Sequence, residues 1–496
     1  MQETTAIGLN FIGGEWKASS GGKIYEVRNP ADQRSVVGIY QSSDELDTMA
    51  AIEAAKKAFK MWASTPAPKR AEIVFEAWSI LKKRAEEFSL AITTEEGKPL
   101  PDARGEVKRS LNVLEFIAGE GRRLGGDVIP SELPKTLIYT YKRPLGVVAV
   151  ITPWNFPLSI PVWKIAPALV SGNTVVFKPA SCTPGVAIKI CKLFEEAGLP
   201  PGVLNMVTGP GGSVGRALVE SADVKGVSFT GSTETGRWIY ENSSKGMKKV
   251  QCEMGGKNAV VIADDADLDL AVEGVVQGAF GSSGQRCTAT SRVVVDRAVK
   301  GEFLERLLDR TEKLKVGPGT EPGVDVGPLS SVNQMEKVLW YISDAISEGA
   351  KLLTGGKRVT DKGLEHGLYV EPTVFDEVSP NMRIAREEIF GPVLSVLSGE
   401  GIEELIGISN DSDYGLSGSI YTRNIEKAMR YIDQAEAGML HVNCPTLGGE
   451  AQAPFGGIKG SGIGQREQGR KAVEFFTEEV VVYIDYTGSK RDAKFI

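Results

Sequence analysis

Two segments carry residues able to do covalent chemistry: Glu253-Met254-Gly255-Gly256-Lys257 and Gly284-Gln285-Arg286-Cys287-Thr288. A thiol can add to a carbonyl carbon, and a carboxylate can activate the water that releases the resulting acyl group. The glycines let the backbone come close to a substrate and adopt angles that other residues avoid. The chain has two histidines, His366 and His441, neither in a glycine-rich segment. The base for Cys287 is therefore expected to be a carboxylate, and a Cys-His hydrolase is disfavoured. A free cysteine is usually a small buried hydrophobe, and that reading suits Cys182, Cys191 and Cys252. Cys444 follows Asn443 in a loop-like stretch. For Cys287 the glycine spacing alone leaves a structural and a chemical role equally open.

These residues need a large scaffold. A chain of 496 residues is expected to form two or three domains, and 42% hydrophobic with 24% charged residues is ordinary for a globular protein. A net charge of −7 offers no general attraction for nucleic acid or an anionic membrane. Five cysteines without paired spacing argue against a disulfide framework and for a reducing, cytoplasmic compartment. No Cys/His cluster has zinc-ligand spacing, so no metal is expected. Residues 1–16 lack the layout of a signal peptide. Residues 144–170 are mostly apolar but hold Pro153, Asn155, Pro157, Pro161 and Lys164, which suits a strand, a turn and a helix better than a membrane span.

Residues 11–16 read as a hairpin, residues 43–97 as helix interrupted at Pro66 and Pro68, and 102–124 as a further helix. Strand and helix then alternate. Strands at 147–151, 174–178, 204–207 and 226–229 are followed by helices at 161–170, 185–198, 214–221 and 235–244. A second series follows Glu253, with strands at 258–262, 292–296 and 373–375 and helices at 268–280, 302–314, 336–348 and 402–410. Repeated units of this kind predict mostly parallel sheets covered on both faces: an α/β protein in two halves, the nucleophile in the second and the base at the join. Residues 137–142 and 479–485 are β-rich, belong to no crossover unit, and are expected to pair between subunits.

Two glycine-rich turns could take a dinucleotide. Residues 209–215 approximate the nucleotide fingerprint with the last glycine displaced by one. Gly231-Ser232-Thr233-Glu234-Thr235-Gly236 follows a strand and opens a helix, whose N-terminus suits a phosphate. Lys178 ends a strand and could bond a ribose hydroxyl or a phosphate. On spacing alone either turn could equally be an ordinary connection.

Taken together the segments resemble the aldehyde dehydrogenase superfamily nearly end to end. The matches are Thr152-Pro153-Trp154-Asn155-Phe156-Pro157, Lys178-Pro179-Ala180, Phe229-Thr230-Gly231-Ser232, the Glu253 and Cys287 segments, Glu387-Glu388-Ile389-Phe390-Gly391-Pro392, and Pro454-Phe455-Gly456-Gly457-Ile458-Lys459. Met254 stands where leucine is commoner. Among subfamilies the run from Gly284 to Arg292 and Gln452-Ala453-Pro454-Phe455 are most similar to α-ketoglutaric semialdehyde (2,5-dioxovalerate) dehydrogenases.

The resemblance implies a Rossmann-type cofactor domain (1–126 and 145–252), an α/β catalytic domain (253–469) and a small β oligomerisation arm (127–144 and 470–496), built into a dimer or tetramer. It implies that Cys287 attacks an aldehyde, that Asn155 and the Cys287 amide hold the oxyanion, and that Glu253 activates water, with Lys164 and Glu467 as a proton relay behind it. Lys178 is implied at the adenosine ribose, Gly231, Ser232 and Gly236 at the pyrophosphate, with Trp154 lining the same site. Glu388 is implied at the nicotinamide ribose, Phe390 beside it, and Gln334 and Lys337 as further contacts. Ser181, neutral where NAD-preferring relatives often carry glutamate, suggests that NADP is accepted as well as NAD. Arg286 is expected at the far carboxylate of a semialdehyde acid, with Phe455 also at the substrate; the alternative leaves Arg286 paired with a structural carboxylate. The expected reaction is NAD(P)+-dependent oxidation of a carboxylate-bearing semialdehyde. Succinic or glutaric semialdehyde and glyceraldehyde are alternatives. A CoA-acylating dehydrogenase is disfavoured by Glu253, and a non-catalytic relative by the presence of Cys287, Glu253 and Asn155 together.

Overall fold

A computed structural model describes residues 7–361 and 363–490; the first part of the 1–16 segment and the last residues of the expected arm lie outside them. Its largest sheet has eight strands, in the order Gly462–Ile463, Lys249–Glu253, Val224–Thr230, Val147–Ile151, Thr174–Lys178, Leu204–Met206, Asn10–Ile12, Glu15–Lys17. The five central strands run parallel and the edges antiparallel. Along Val147–Ile151 and Thr174–Lys178 neighbouring side chains enter opposite cores. Val148, Val150, Val175 and Phe177 pack with the Leu100–Glu120 and Ser159–Val170 helices, while Val147, Ala149, Ile151 and Val176 join the core that includes Ala51, Ile52 and Ala55. Burial on both faces is why these strands read as unbroken apolar runs.

The chain winds outward in both directions from Val147–Ile151, so the order reverses between that strand and Val224–Thr230. In such sheets ligands bind beyond the carboxyl ends of the strands at this reversal. Trp154, Asn155, Lys178, Gly231, Ser232 and Glu253 all stand at or just past those ends.

A seven-stranded sheet follows, in the order Lys351–Thr354, Thr373–Asp376, Val393–Gly399, Arg292–Asp296, Ala259–Ile262, Ser417–Tyr421, Met439–Val442. All its pairings are parallel except at the Lys351–Thr354 edge. The link 254–258 joins the sheets, so the base ends one and the next strand starts the other. No helix of the described residues is long and apolar enough to cross a membrane.

Four expectations change. The helical stretch 43–97 is three helices, Glu45–Ser64, Ala67–Lys83 and Ala85–Glu96. Pro66 makes the first break, and Arg84 makes the second without proline. The β-rich segments pair with each other inside one chain, Thr136–Pro144 antiparallel to Thr477–Asp485, rather than each being left for another subunit. Residues 470–476 do not join that arm: Val473, Phe475 and Phe476 are buried in the main core. A three-stranded sheet of Ile7–Gly8, Asp32–Gln41 and Ile24–Asn29 was not anticipated. The hairpin at 11–16 forms as expected, turning on Gly13 and Gly14 at φ 66° and 84°, the positive angles a two-residue hairpin turn requires.

Candidate active site

Cys287 follows a turn in which Ser282, Ser283 and Gly284 all have positive φ (50°, 57° and 69°). A Cβ on Gly284 would stand 2.1 Å from the Gly391 carbonyl oxygen, so only glycine fits. Asn258 fixes the segment by donating from Nδ2 to the carbonyls of Cys287 and Ala289, both at 2.8 Å. Asn155 donates from Nδ2 to the Gln285 carbonyl at 3.0 Å; an amide nitrogen has a second hydrogen to offer an oxyanion beside Cys287.

Burial pushes the Cys287 thiol up to about 12, with the charges of Glu388 and Glu253 adding and Arg109 opposing. The thiolate is the nucleophile, so Cys287 rests as a thiol and needs a base. Loss of a proton raises reactivity, and a group titrating near 12 gains thiolate about tenfold per pH unit at every lower pH. Iodoacetamide labelling of Cys287, read by mass on its own peptide, is therefore expected to climb about tenfold per unit from pH 7 to 9 without levelling. A plateau near pH 7.5 would show a thiolate already formed.

Glu253 is 3% exposed, and among the described residues its Oε2 has no hydrogen-bond partner. Burial first, and then the charge of Glu467, raise its carboxyl well above the ordinary value, against Lys164, Arg466 and the Gly457 amide. A raised carboxyl is a stronger base, once ionised, than an ordinary one. Lys164 contacts Glu467 and donates to Ser228 Oγ at 3.0 Å, and Trp163 Nε1 donates to Glu467 Oε2 at 2.7 Å. The pair Lys164–Glu467 thus stands within electrostatic reach of Glu253, where a relay would have to be. A Cβ on Gly456 would lie 2.2 Å from Glu253 Oε1, so glycine there makes room for the base.

A cavity of about 720 Å3 runs past Lys178, Gly211, Gly212, Gly215, Arg216, Gly231, Ser232, Glu234 and Trp238. A second, of about 170 Å3, reaches Asn155, Cys287, Gln334, Lys337, Glu388 and Phe390. Trp154, Thr230, Gly231 and Ser232 line both, which makes them one groove ending at the thiol.

The groove fits a dinucleotide. Ser232 caps the Thr233–Ser244 helix, whose N-terminus suits a pyrophosphate. Lys178 is buried, donates to the Pro179 carbonyl at 2.9 Å and is pulled down to about 8 by desolvation. Glu388 accepts from the Gly256 amide at 2.9 Å. Phe390, at φ 62°, meets Trp154 edge-on at 5.4 Å.

The other expected cofactor residues also make contacts within the chain. Gln334 donates to the carbonyls of Ile389 and Phe390 and Lys337 to that of Glu388, so both brace the loop that carries Glu388. Gly236 leaves room for Met254, whose sulfur would lie 2.4 Å from a Cβ there. Ser181 donates to the Gly209 carbonyl at 3.2 Å and does not line the groove.

Arg286 departs from expectation. Its guanidinium pairs with Asp102 at 3.2 Å and donates to Ser282 Oγ at 2.8 and 3.1 Å. Its charge is met by a carboxylate of the chain, as the alternative reading had it. Phe455 is buried 5.6 Å from the Trp163 ring and exchanges backbone hydrogen bonds with Glu467, beside the base network. Three residues were not anticipated here: Arg109, with its guanidinium over the Trp163 and Phe455 rings, and the buried pair Lys98–Glu106 beneath Asn155. Nothing in their local sequence separates them from ordinary helix charges. Among the described residues no group of three or more His, Cys, Asp or Glu could hold a metal ion.

Residues 16–482 match the model of the aldehyde dehydrogenase family. The chain is 47% identical to α-ketoglutaric semialdehyde dehydrogenase of Bacillus subtilis, over 96% of this chain and 98% of that one. It is 46% identical to α-ketoglutarate semialdehyde dehydrogenase of Haloferax volcanii, over 96% and 99%. The crystal structure of betaine aldehyde dehydrogenase from Staphylococcus aureus in complex with NAD+ superposes with a TM-score of 0.95 at 36% identity, covering 98% of this chain and 96% of that one.

Proposed function

The chain belongs to the aldehyde dehydrogenase family, and from that premise we propose that it oxidises a carboxylate-bearing semialdehyde, α-ketoglutaric semialdehyde first, to the acid. One observation carries the reading: Cys287 and Asn155 line the end of a groove that runs past Lys178 and Ser232, and the charge of the buried Glu253 acts on the Cys287 thiol. Relatives named for that substrate, nearly half identical over almost their whole length, support the choice.

In this mechanism Cys287 adds its sulfur to the aldehyde carbon, and its proton passes to Glu253. The Asn155 side-chain amide and the Cys287 backbone amide hold the oxygen as its charge develops. NAD(P)+, when bound, accepts the hydride. Glu253 then takes a proton from water as the water attacks the thioester, and Cys287 leaves as thiolate. Lys164 and Glu467 pass the Glu253 proton onward. The residues that would hold the cofactor are Lys178, Ser232, Glu388, Phe390 and Trp154.

Reduced nicotinamide is expected to form from enzyme, semialdehyde acid and NAD(P)+ without CoA, with kcat/KM well above that for a neutral aldehyde of equal length. An absolute need for CoA would replace this reading with acyl transfer to a thiol. Both oxidised cofactors are expected to serve. Lys178 and Arg216 bring positive charge to the larger cavity, and Ser181 presents no carboxylate to repel a 2′-phosphate. Ser181→Glu is expected to move the NADP+/NAD+ ratio of kcat/KM toward NAD+ by about tenfold, the scale of one charge contact; an unchanged ratio would remove Ser181 from cofactor choice.

The same reading makes the protein an oligomer. Val481, Tyr483 and Ile484 are exposed on the strand Thr477–Asp485, which ends its sheet among the described residues, an apolar surface that a second copy would cover. Cytoplasmic residence is supported by five free thiols.

A further inference from the structure

Lys257 lies in the link between the two sheets and is 2% exposed. Among the described residues its Nζ has no hydrogen-bond partner, so three ammonium donors lack an acceptor. Arg292, at the start of the strand Arg292–Asp296, is equally buried. Its guanidinium meets only backbone carbonyls. Nε donates to Lys257 at 3.1 Å, Nη1 to Ile408 and Asp411 at 3.3 and 3.2 Å, and Nη2 to Ser409 at 2.8 Å. The Asp411 carboxylate pairs elsewhere, with Arg386 at 3.2 Å. Among the described residues neither buried cation has a carboxylate within ion-pairing distance. Burial first and then Arg292 pull the Lys257 amine down to about 7; Glu388 and Glu387 oppose, and Lys337 adds. Lys257 and Arg292 both line a cavity of about 20 Å3, with Tyr431 in the same wall. A Cβ on Gly418, another lining residue, would stand 2.4 Å from the Tyr431 hydroxyl oxygen, so glycine leaves that hydroxyl its room. Glu436 is the one acid among the lining residues, and Lys459 engages it.

Two neighbouring cations taken out of water without a counter-ion are costly to a fold. A void of this size takes one particle about as large as a water molecule. Water would bring no compensating charge, and a carboxylate or phosphate exceeds the room. We propose that the cavity is a binding site for a monatomic halide, chloride above all, held by the Lys257 ammonium and the Tyr431 hydroxyl beside the Arg292 charge. The site shares no lining residue with the cofactor groove; it stands behind the reacting turn. Asn258, in its wall, holds the Cys287 and Ala289 carbonyls and accepts the Ser417 amide at 3.0 Å. Tyr431 belongs to the helix Ile425–Gln434. A halide between Lys257 and Tyr431 therefore ties the inter-sheet link to that helix and braces the segment on which Cys287 stands.

The test uses the full chain and two probes, bromide and chloride. Crystals of the wild type grown in sodium bromide, with data collected at the bromine edge, are expected to show an anomalous peak within hydrogen-bonding distance of Lys257 Nζ. In solution, Tm should be roughly 1–2 °C higher in sodium chloride than in sodium gluconate of equal ionic strength, because gluconate is too large to enter and a ligand of the folded state alone stabilises it. Lys257→Met should abolish that difference. Tyr431→Phe keeps the ring and removes one donor, so it should lose about half of it; it also serves if Lys257→Met does not fold. Bromide crystals with only water in the cavity, or a bromide signal confined to surface lysines, would overturn the assignment. So would a chloride advantage of the same size in the wild type and the variants, which would mark a general salt effect.

Discussion

Cys287→Ala is expected to abolish steady production of reduced nicotinamide, a fall of at least about 10^4-fold, because residues that act as one covalent unit fail together. Glu253→Gln is expected to behave differently. Its amide keeps the shape but takes no proton, so thioester hydrolysis should slow by about 10^2- to 10^4-fold, the usual contribution of a positioned base. The hydride step should suffer less, since an alkaline medium can deprotonate Cys287 directly. A rapid burst of reduced cofactor near one per active site, followed by a stall, is the expected trace at pH 9. The acyl-enzyme should be visible as added mass on the Cys287 peptide. Full turnover by Cys287→Ala would end the proposal, and a Glu253→Gln enzyme slowed equally in burst and steady state would assign Glu253 to the first step only.

The chemistry was easier to read from residues than the geometry that tunes it. Cys287, Glu253 and Asn155 stand in segments whose glycines and order are unusual; the fold brings Cys287 and Asn155 to one groove and Glu253 within electrostatic reach of the thiol. Lys178 and Ser232 stand out in the sequence because one ends a strand of a parallel series and the other lies two residues past one, where such sheets present ligands. Arg286 was misread because neighbours on a tight turn diverge by angles that sequence does not display; φ of 50–69° over 282–284 precedes it. Arg109 sits in Glu106-Val107-Lys108-Arg109-Ser110, which looks like a solvated helix face. What distinguishes it is a buried Nε without a hydrogen-bond partner among the described residues, a tertiary fact. The strand Asp32–Gln41 was missed because its polar opening shows no alternation. The partnership of Thr136–Pro144 with Thr477–Asp485 joins segments too far apart for a single sequence to pair them.

Lys98 is a second such case, with the larger expected cost to stability. It follows Gly97 at a helix end and looks like a surface residue, yet its side chain and those of Glu96 and Glu106 are 0% exposed. Lys98 Nζ lies 2.8 Å from Glu106 Oε2, 3.8 Å from Glu96 and 4.0 Å over the Phe156 ring, and donates to the Asn155 carbonyl. Glu106 Oε1 in turn accepts from the amides of Leu158 and Ser159 at 2.8 and 3.1 Å. One ammonium therefore ties the loop carrying the oxyanion amide to the start of the next helix. Lys98→Met would leave two carboxyls buried without their cation, a loss of about 3–5 kcal/mol, read as a lower urea midpoint at pH 7.5. Glu96 is already raised to about 7, by burial first and partly by Glu106. A carboxyl whose folded value lies above its unfolded one supports the fold below the unfolded value and loses that support as pH rises through the folded one. Without Lys98, whose charge holds it down, the Glu96 carboxyl moves further up, so the deficit should be greatest above pH 7 and shrink at pH 5.5. Lys98→Met with Glu106→Gln should recover part of the stability by removing the stranded charge, but not the activity, because the Asn155 carbonyl stays unheld. A deficit independent of pH, with no recovery in the double variant, would show that Lys98 acts through packing of its carbon chain and not through its charge.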